Sequence, residues 1–208
     1  MRVFFLSVLT LFFVTTQAWA DTATDRLDYF FKSVGSLSSS FVQVVRNEHG
    51  GLVREAEGTF LLLRPGRFRW DYIKPNDQSI ISDGQYLWIY DEELAQVTVK
   101  ELGEALGSSP ILLLSEPRAV KEDFIIVDSY EADGIAWVEL FPKVKDTDFT
   151  KILVGLNNQG IKEMELFDQF GQHTTIRFEQ VRINHSIPAS RFTFEVPPGV
   201  DVLGLDRN

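Results

Sequence analysis

The sequence predicts a mainly β protein with a few short α-helices, built on one strongly curved antiparallel sheet. About ten or eleven short runs are either apolar throughout or alternate between apolar and polar residues, and Gly, Asn or Pro turns separate them. Only two segments, residues 22–37 and 110–115, have helical features. No internal repeat, low-complexity tract or linker interrupts the pattern, which indicates a single domain over residues 21–208.

Residues 1–20 have the three parts of a secretory signal peptide. Arg2 precedes an apolar run over residues 3–14, and the tripeptide Ala18-Trp19-Ala20 has the small residues of a cleavage site. A membrane anchor is the rival interpretation, but an uninterrupted apolar run of about a dozen residues is shorter than the roughly 20 that span a bilayer. We therefore expect cleavage after Ala20 and export of the rest of the chain.

The composition narrows the class of partner. The formal net charge is −10, with 30 acidic residues against 20 basic ones. Nucleic acids and anionic membrane surfaces bind clusters of Lys and Arg, so neither is an expected partner. The sequence has no cysteine, so no disulfide stabilises it and it cannot itself be a lipid-modified lipoprotein of the usual kind.

No catalytic, cofactor or metal site is expected. His49, His173 and His185 lack the spacing of metal ligands. The sequence contains no cysteine nucleophile, no Gly-x-Ser-x-Gly motif and no phosphate-binding loop. Acidic pairs such as Glu163 and Glu165 fall on the polar face of an alternating strand. The sequence therefore favours a protein that is not an enzyme.

The first element after the signal is an amphipathic helix, predicted over residues 22–37. Thr24 or Asp25 is the expected N-cap, and Gly35 is the expected stop. Such a helix either packs into an ordinary core or covers an apolar surface, and spacing alone leaves both open. The apolar residues that recur at helical spacing are Leu27, Phe30, Phe31 and Val34.

The predicted strands follow the helix, and an Asn/Gly hairpin turn at residues 47–51 joins the first two. The motif P-x-x-Q-S-I-I-S-D-G at residues 75–84 is interpreted as a turn. Strands are expected at residues 40–46, 52–63, 68–72, 86–90, 96–99, 124–129, 135–141, 151–156, 161–168, 173–183 and 191–195.

A second short helix is predicted at residues 110–115. Ser109 can cap it, and Pro110 suits the first helical position. Residues 111–114 are Ile-Leu-Leu-Leu, which is too much aliphatic surface for an exposed turn. Another part of the protein must therefore cover this segment.

Arg64 is an unusual charge, because it directly follows four apolar residues and precedes Pro65 at the end of a predicted strand. It can extend to water, as charged residues at strand ends commonly do. Alternatively, its five donors can bond carbonyl oxygens at the mouth of an apolar surface. The residues alone leave both alternatives open.

The sequence is rich in aromatic residues, with seventeen Phe and, beyond the signal, Trp70, Trp88 and Trp137. On a curved sheet, they either fill an ordinary core or line a groove that two small helices cover. A groove could bury acyl chains, since each methylene removed from water contributes roughly 0.8 kcal/mol. The aromatic content does not separate these alternatives.

Several motifs occur in the order found in one known family. They are S-F-V-Q at residues 40–43, R-P-G-R-F-R-W-D-Y at 64–72, the turn at 75–84, L-W-I-Y-D at 87–91, S-P-I-L-L-L at 109–114, L-F-D-Q-F-G-Q at 166–172 and F-T-F-E-V-P-P-G-V-D at 192–201. Together they cover most of the exported chain. The sequence resembles the LolA family of periplasmic carriers of outer-membrane lipoproteins.

The resemblance implies an incomplete, half-open antiparallel β-barrel with a helical lid over a hydrophobic cavity. It places a latch, which hydrogen-bonds the lid shut, at Arg64. It places the lid at Phe31 of the first helix and at Ile111 and Leu114 of the second. The residues expected to line the acyl-chain cavity are Phe60, Leu62, Phe68, Trp70, Met164, Leu166, Ile176 and Phe178.

The function that the resemblance implies is that of a monomeric periplasmic chaperone without a cofactor. Its expected partners are acylated lipoproteins, an inner-membrane lipoprotein-releasing transporter complex and an outer-membrane lipoprotein receptor. The alternative is a periplasmic lipid-binding sensor or regulatory domain, or a carrier of another lipid. The docking surface is expected at the rim near residues 64–70, where Arg67 and Arg69 alternate with Phe68 and Trp70.

Overall fold

A computed structural model describes residues 22–105, 114–115, 120, 122–143 and 147–204. The helices are α1 (Ala23–Ser33) and α2 (Leu102–Ala105), with a 3-10 helix at Ala189–Phe192. The strands are β1 (Ser36–Arg46), β2 (Leu52–Leu63), β3 (Arg67–Lys74), β4 (Gln78–Asp83), β5 (Tyr86–Asp91), β6 (Gln96–Glu101), β7 (Phe124–Ala132), β8 (Ile135–Pro142), β9 (Phe149–Asn157), β10 (Gly160–Asp168), β11 (His173–Ile183) and β12 (Asp201–Gly204).

These strands form a single sheet in the order β12-β6-β5-β4-β3-β2-β1-β11-β10-β9-β8-β7. Each half of the sheet is a meander, and the halves join where β1 pairs with β11. All of these pairs are antiparallel except β12 with β6. Strands β12 and β7 end the order without pairing to each other, so the sheet is open. The prediction of a mainly β fold on an open antiparallel sheet is confirmed.

A capping box fixes the start of α1. The Thr22 hydroxyl accepts the Asp25 backbone N–H at 3.1 Å, and the Asp25 carboxylate accepts the Thr22 backbone N–H at 3.1 Å. The predicted N-cap was therefore two or three residues late, and Asp25 acts from the N3 position. The helix ends at Ser33 with Val34 as its C-cap, earlier than expected.

The boundaries of β1 and β4 correct two predictions. Strand β1 begins at Ser36, because residues 36–39 pair with residues 60–63 of β2. Residues 78–83, interpreted as part of a turn, form β4 between β3 and β5. The Pro-containing turn is confined to the residues before Gln78, so the apolar pair Ile80 and Ile81 was the strand signal that the turn motif concealed.

The C-terminal segment corrects a third prediction. Residues 191–195 are not a strand: Phe192 belongs to the 3-10 helix and Phe194 follows it in extended backbone. Phe192 is buried and Phe194 is partly buried, and neither residue pairs through its backbone in a strand. Strand β12, which the sequence analysis missed, pairs over four residues with its side chains exposed, so it lacks an alternating burial pattern.

Two apolar clusters lie on opposite faces of the sheet. The larger, here called the inner core, joins residues of α1 to inward-facing residues of β1–β3 and β8–β11. Because both halves of the sheet contribute to one cluster, the sheet must curve around it. The smaller cluster packs Phe194, Val196 and Val200 against Trp88 on the other face.

Candidate functional site

Arg64 joins three parts of the chain through backbone carbonyl oxygens. Its Nη1 donates to the Phe30 carbonyl at 3.0 Å and to the Val34 carbonyl, both at the C-terminal end of α1. Its Nε and Nη2 donate to the Leu114 carbonyl at 3.2 and 2.7 Å. The guanidinium therefore holds α1 and the Leu114 segment to the end of β2.

Position and charge both favour this arrangement. The carbonyl end of a helix carries its negative dipole end, so a cation is stabilised there. The Phe30 carbonyl also accepts the Val34 backbone N–H at 3.1 Å, so it is shared between the helix cap and Arg64. The Arg64 guanidinium also lies over the Phe30 and Phe31 rings, 4.7 and 5.3 Å from their centroids. Of the two alternatives for Arg64, bonding to carbonyls is the one observed.

The predicted lid residues are placed as follows. Phe31 is partly buried against the inner core, with its ring edge-on to Phe30 at 5.5 Å. Leu114 is buried in the inner core and is helical, like Ser115. Ile111 lies outside the described residues, as does most of the predicted second helix. The role of these residues as a lid stays a prediction.

The eight predicted cavity residues come together in the inner core, and each is at most 4% exposed. Strands β2, β3, β10 and β11 each contribute two of them. Phe60 lies 5.1 Å from Trp70 and 6.0 Å from Phe178, measured between ring centroids. The side chains pack against one another here, and their role in lining an acyl-chain cavity stays a prediction.

Three comparisons place the chain among known proteins. The family model for the outer membrane lipoprotein carrier protein LolA matches residues 32–195. The chain belongs to the LolA family. It is 41% identical over 202 residues to the outer-membrane lipoprotein carrier protein of Methylobacillus flagellatus, covering 96% of this chain and 98% of that protein. It is 43% identical over 181 residues to the carrier of Methylococcus capsulatus, covering 87% of each chain.

Among solved structures, this LolA-family chain is similar to an uncharacterized conserved protein from Thermus thermophilus. The TM-score is 0.54, with 10% sequence identity, and the match covers 87% of this chain and 96% of that one. At this identity the likeness concerns the fold alone. The resemblance drawn from sequence motifs is confirmed by the family and the relatives.

Asn184 is a residue of the site that sequence analysis missed. Its Oδ1 accepts the Gly35 backbone N–H at 2.8 Å, and its Nδ2 donates to the Ser33 carbonyl at 2.8 Å. The side chain thus clamps the junction between α1 and β1, next to the Arg64 backbone N–H, which donates to the Gly35 carbonyl at 2.9 Å. Since the partners are about 150 residues apart, no local pattern indicated this contact.

A polar pair on the inner face was also missed. Tyr72 Oη donates to Gln43 Oε1 at 3.0 Å, and the Arg54 guanidinium lies 5.5 Å from the centroid of the Tyr72 ring. Burial raises the pKa of the Tyr72 hydroxyl above its ordinary value of 10.0, although the nearby Arg54 charge partly opposes this. The alternation of Phe68, Trp70 and Tyr72 along β3 was the available signal, because it puts all three on one face.

The predicted docking residues separate by face. Phe68 and Trp70 are buried inside, whereas Arg67 and Arg69 are partly exposed on the outer face. Arg69 Nε lies 2.7 Å from Asp71 Oδ2, and the Ser79 hydroxyl donates to Asp71 Oδ1 at 2.6 Å. Only the arginines of this alternating motif can therefore contact a partner on the outer surface.

Metal-binding clusters and membrane-spanning helices are both absent from the described part of this LolA-family chain. No three His, Cys, Asp or Glu residues there are grouped so that they could hold a metal ion. No helix there is both long enough and apolar enough to cross a membrane.

Proposed function

We propose that the chain is a periplasmic chaperone that carries acylated lipoproteins and holds their acyl chains against the inner face of the sheet. The observation that carries the proposal is the position of Arg64. One guanidinium bonds the carbonyls of α1 and of Leu114, and both elements also pack on the inner core. Releasing this group would free both elements that cover the apolar face.

The energetics suit reversible loading. A hydrogen bond from a charged donor contributes about 1.5–3 kcal/mol, so the Arg64 bonds favour the closed state without fixing it. Each methylene buried by an entering acyl chain contributes roughly 0.8 kcal/mol, and a few chains together exceed the cost of breaking the latch. Acyl chains that bind only the open form shift the population toward it.

The latch acts on backbone carbonyls, which every residue presents. The identity of the lid side chains therefore affects the packing of the closed state more than its hydrogen bonding. Opening requires cargo or a partner to compete for the carbonyls that Arg64 bonds.

We assign two handover partners to this cycle, which are an inner-membrane lipoprotein-releasing transporter complex and an outer-membrane lipoprotein receptor. The family name of the relatives, outer-membrane lipoprotein carrier protein, supports the cargo class. Arg67 and Arg69 form the proposed docking rim, since they are partly exposed beside the turn that follows Arg64. The chain acts as a monomer and catalyses no reaction in this scheme.

Native mass spectrometry of protein purified from an envelope fraction tests the proposal. We expect an acylated lipoprotein to accompany the wild-type chain. Arg64→Leu should retain more of it, because the cargo no longer competes with the latch. Arg177→Leu is the matched control, since Arg177 has a 64% exposed side chain and bonds Glu163 at 3.0 Å on the outer face.

The outcomes separate two parts of the proposal. If no acylated protein accompanies any variant, the carrier function is wrong. If cargo is present but Arg64→Leu and Arg177→Leu retain it equally, the carrier function stands and the latch is wrong. If charge reversal at Arg67 and Arg69 leaves the transfer of lipoprotein to either partner unchanged, the proposed docking rim is wrong.

A further inference from the structure

A polar group lies within the apolar inner face, well away from the Arg64 latch. Tyr72 pairs with Gly58 of β2, which lies six residues before Arg64 in the chain, or about 20 Å for extended backbone. The Tyr72 hydroxyl bonds Gln43, whose side chain is also only partly buried. Beyond them the inner face becomes exposed at Arg54, so this pair marks one end of the inner core.

Trp70 supplies a donor beside this pair that makes no hydrogen bond of full geometry. Its side chain is fully buried, and among the described residues its Nε1 has no hydrogen-bond partner. The indole N–H acts as a weak hydrogen-bond donor to the Tyr72 hydroxyl and lowers the pKa of that hydroxyl, but the geometry falls short of a full hydrogen bond. A buried donor that is only weakly bonded is costly in a native protein and calls for an explanation.

The surrounding packing holds the indole in this position. Phe41 lies 4.1 Å from Trp70 and 5.3 Å from Tyr72, measured between ring centroids. The absence of a side chain at Gly58 leaves room for the Phe41 ring and for the Asp71 backbone. A Cβ at this position would overlap the Asp71 carbonyl oxygen and lie 2.8 Å from the Phe41 ring. The indole is therefore closely surrounded by aromatic rings, which fix its orientation in this structure.

We propose that Trp70 Nε1, beside the Tyr72–Gln43 pair, binds the carbonyl oxygen of an ester or amide that joins an acyl chain to its head group. A neutral acceptor suits a buried neutral donor, since a charged ligand would lose more solvation on entering. This inference rests on the proposed carrier function and identifies which atom of the cargo lipid the inner face recognises.

Trp88 provides a matched control within the same chain. It is also buried, and its Nε1 likewise has no partner among the described residues. However, Trp88 belongs to the small cluster on the other face, with Phe194 packed 6.4 Å from its ring. A buried unpaired indole outside the proposed binding face should not affect lipid binding.

Two soluble probes that differ only at the carbonyls test the assignment: dioctanoylglycerol and the diether dioctylglycerol. We expect the full exported chain to bind the diester roughly five- to tenfold more tightly than the diether, the effect of one neutral hydrogen bond. Trp70→Phe should bring this ratio near one without changing the affinity for the diether. Trp88→Phe should keep the wild-type ratio.

A second readout reports on the donor itself. The indole proton of Trp70, assigned in the wild-type chain through its contacts with Phe41 and Tyr72, should shift downfield in the NMR spectrum with the diester and not with the diether. This measurement decides the question even if Trp70→Phe does not fold. A merely structural role for Trp70 would leave both the ratio and the proton shift independent of the carbonyl.

Three results would overturn the assignment. The first is equal affinity of the wild-type chain for the diester and the diether. The second is a diester-to-diether affinity ratio in Trp70→Phe that equals the wild-type ratio. The third is a fall of this ratio in Trp88→Phe as large as in Trp70→Phe. Any of these would leave the carrier function standing, because binding itself persists. Failure of the wild-type chain to bind either probe would instead contradict the carrier function and this site with it.

Discussion

The Arg64 guanidinium donates two hydrogen bonds to the single carbonyl oxygen of Leu114, from Nη2 at 2.7 Å and from Nε at 3.2 Å. Its other terminal nitrogen, Nη1, donates to the Phe30 and Val34 carbonyls at the end of α1. This use of the guanidinium depends on its planar, forked geometry, which a lysine ammonium does not have. This set of hydrogen bonds is therefore specific for arginine as well as for positive charge.

Arg64→Lys should loosen α1 almost as much as Arg64→Leu. A lysine can retain the charge near the helix end but cannot supply the same set of bonds to Leu114 and to α1. Hydrogen exchange of the amides in Ala23–Ser33 measures this, and we expect faster exchange in both variants. Arg177→Lys is the control. If the amides of α1 exchange as slowly in Arg64→Lys as in wild type, the specific role of the guanidinium geometry is wrong.

Asn184→Ala should destabilise the junction between α1 and β1. It removes the bonds to Gly35 and Ser33, each 2.8 Å long, and two neutral bonds contribute about 1–3 kcal/mol to the free energy of unfolding. Urea unfolding measures the loss. Asn184→Asp keeps the acceptor for Gly35 but sets a carboxylate oxygen against the Ser33 carbonyl at the negative end of α1, so a loss at least as large as in Asn184→Ala is expected. A clearly smaller loss in Asn184→Asp would show that the Gly35 bond alone stabilises the junction.

Gly58→Ala should strongly destabilise the folded protein, although it adds only one methyl group. The added Cβ would overlap the backbone oxygen of Asp71, which cannot move without disturbing the β2–β3 pairing. Overpacking of this kind costs about 1–3 kcal/mol, and more where backbone must shift. Gly103→Ala is the control, because nothing described lies within 4 Å of its Cβ position and alanine is the better helix former. Thermal unfolding of the two variants side by side would show the difference, and similar midpoints would contradict it.

Tyr72 should make stability depend on pH at alkaline values. Its folded-state pKa is raised above 10.0, chiefly by burial, so the folded protein holds this proton more tightly than the unfolded chain does. Its contribution is complete below the unfolded pKa, about pH 10, and falls as the pH rises through the folded pKa. The stability advantage of wild type over Tyr72→Phe, measured by urea unfolding from about pH 8 to 11, should therefore shrink at the alkaline end. A constant difference would contradict this.

Local sequence patterns predicted most of the sheet because a half-buried strand repeats every two residues. Strand β11 was predicted at its observed bounds, and β2 likewise. The failures occurred where burial and backbone pairing diverge. Phe192 and Phe194 alternate as strand residues do but pack without pairing, whereas β12 pairs with exposed side chains.

The site was predictable only in part, for a related reason. The position of Arg64 after an apolar strand left water and carbonyl partners both open, and only the family resemblance implied that Arg64 bonds the helical segments. Its acceptors are Phe30, Val34 and Leu114, which lie 30 to 50 residues away, and Asn184 reaches Gly35 from 149 residues away. Periodicity carries no information about such pairs, because it reports the burial of single residues.

The sequence by itself determined the mainly β fold, the family and the single unusual cation, since these follow from local periodicity and ordered motifs. The tertiary structure decided that one guanidinium joins α1 to Leu114 and that the buried indole N–H of Trp70 lies near Tyr72 without a hydrogen bond of full geometry. The physical reason is that a hydrogen bond depends on distances of a few ångströms and on direction. Only the curvature of the sheet, which brings both halves around one core, fixes those quantities.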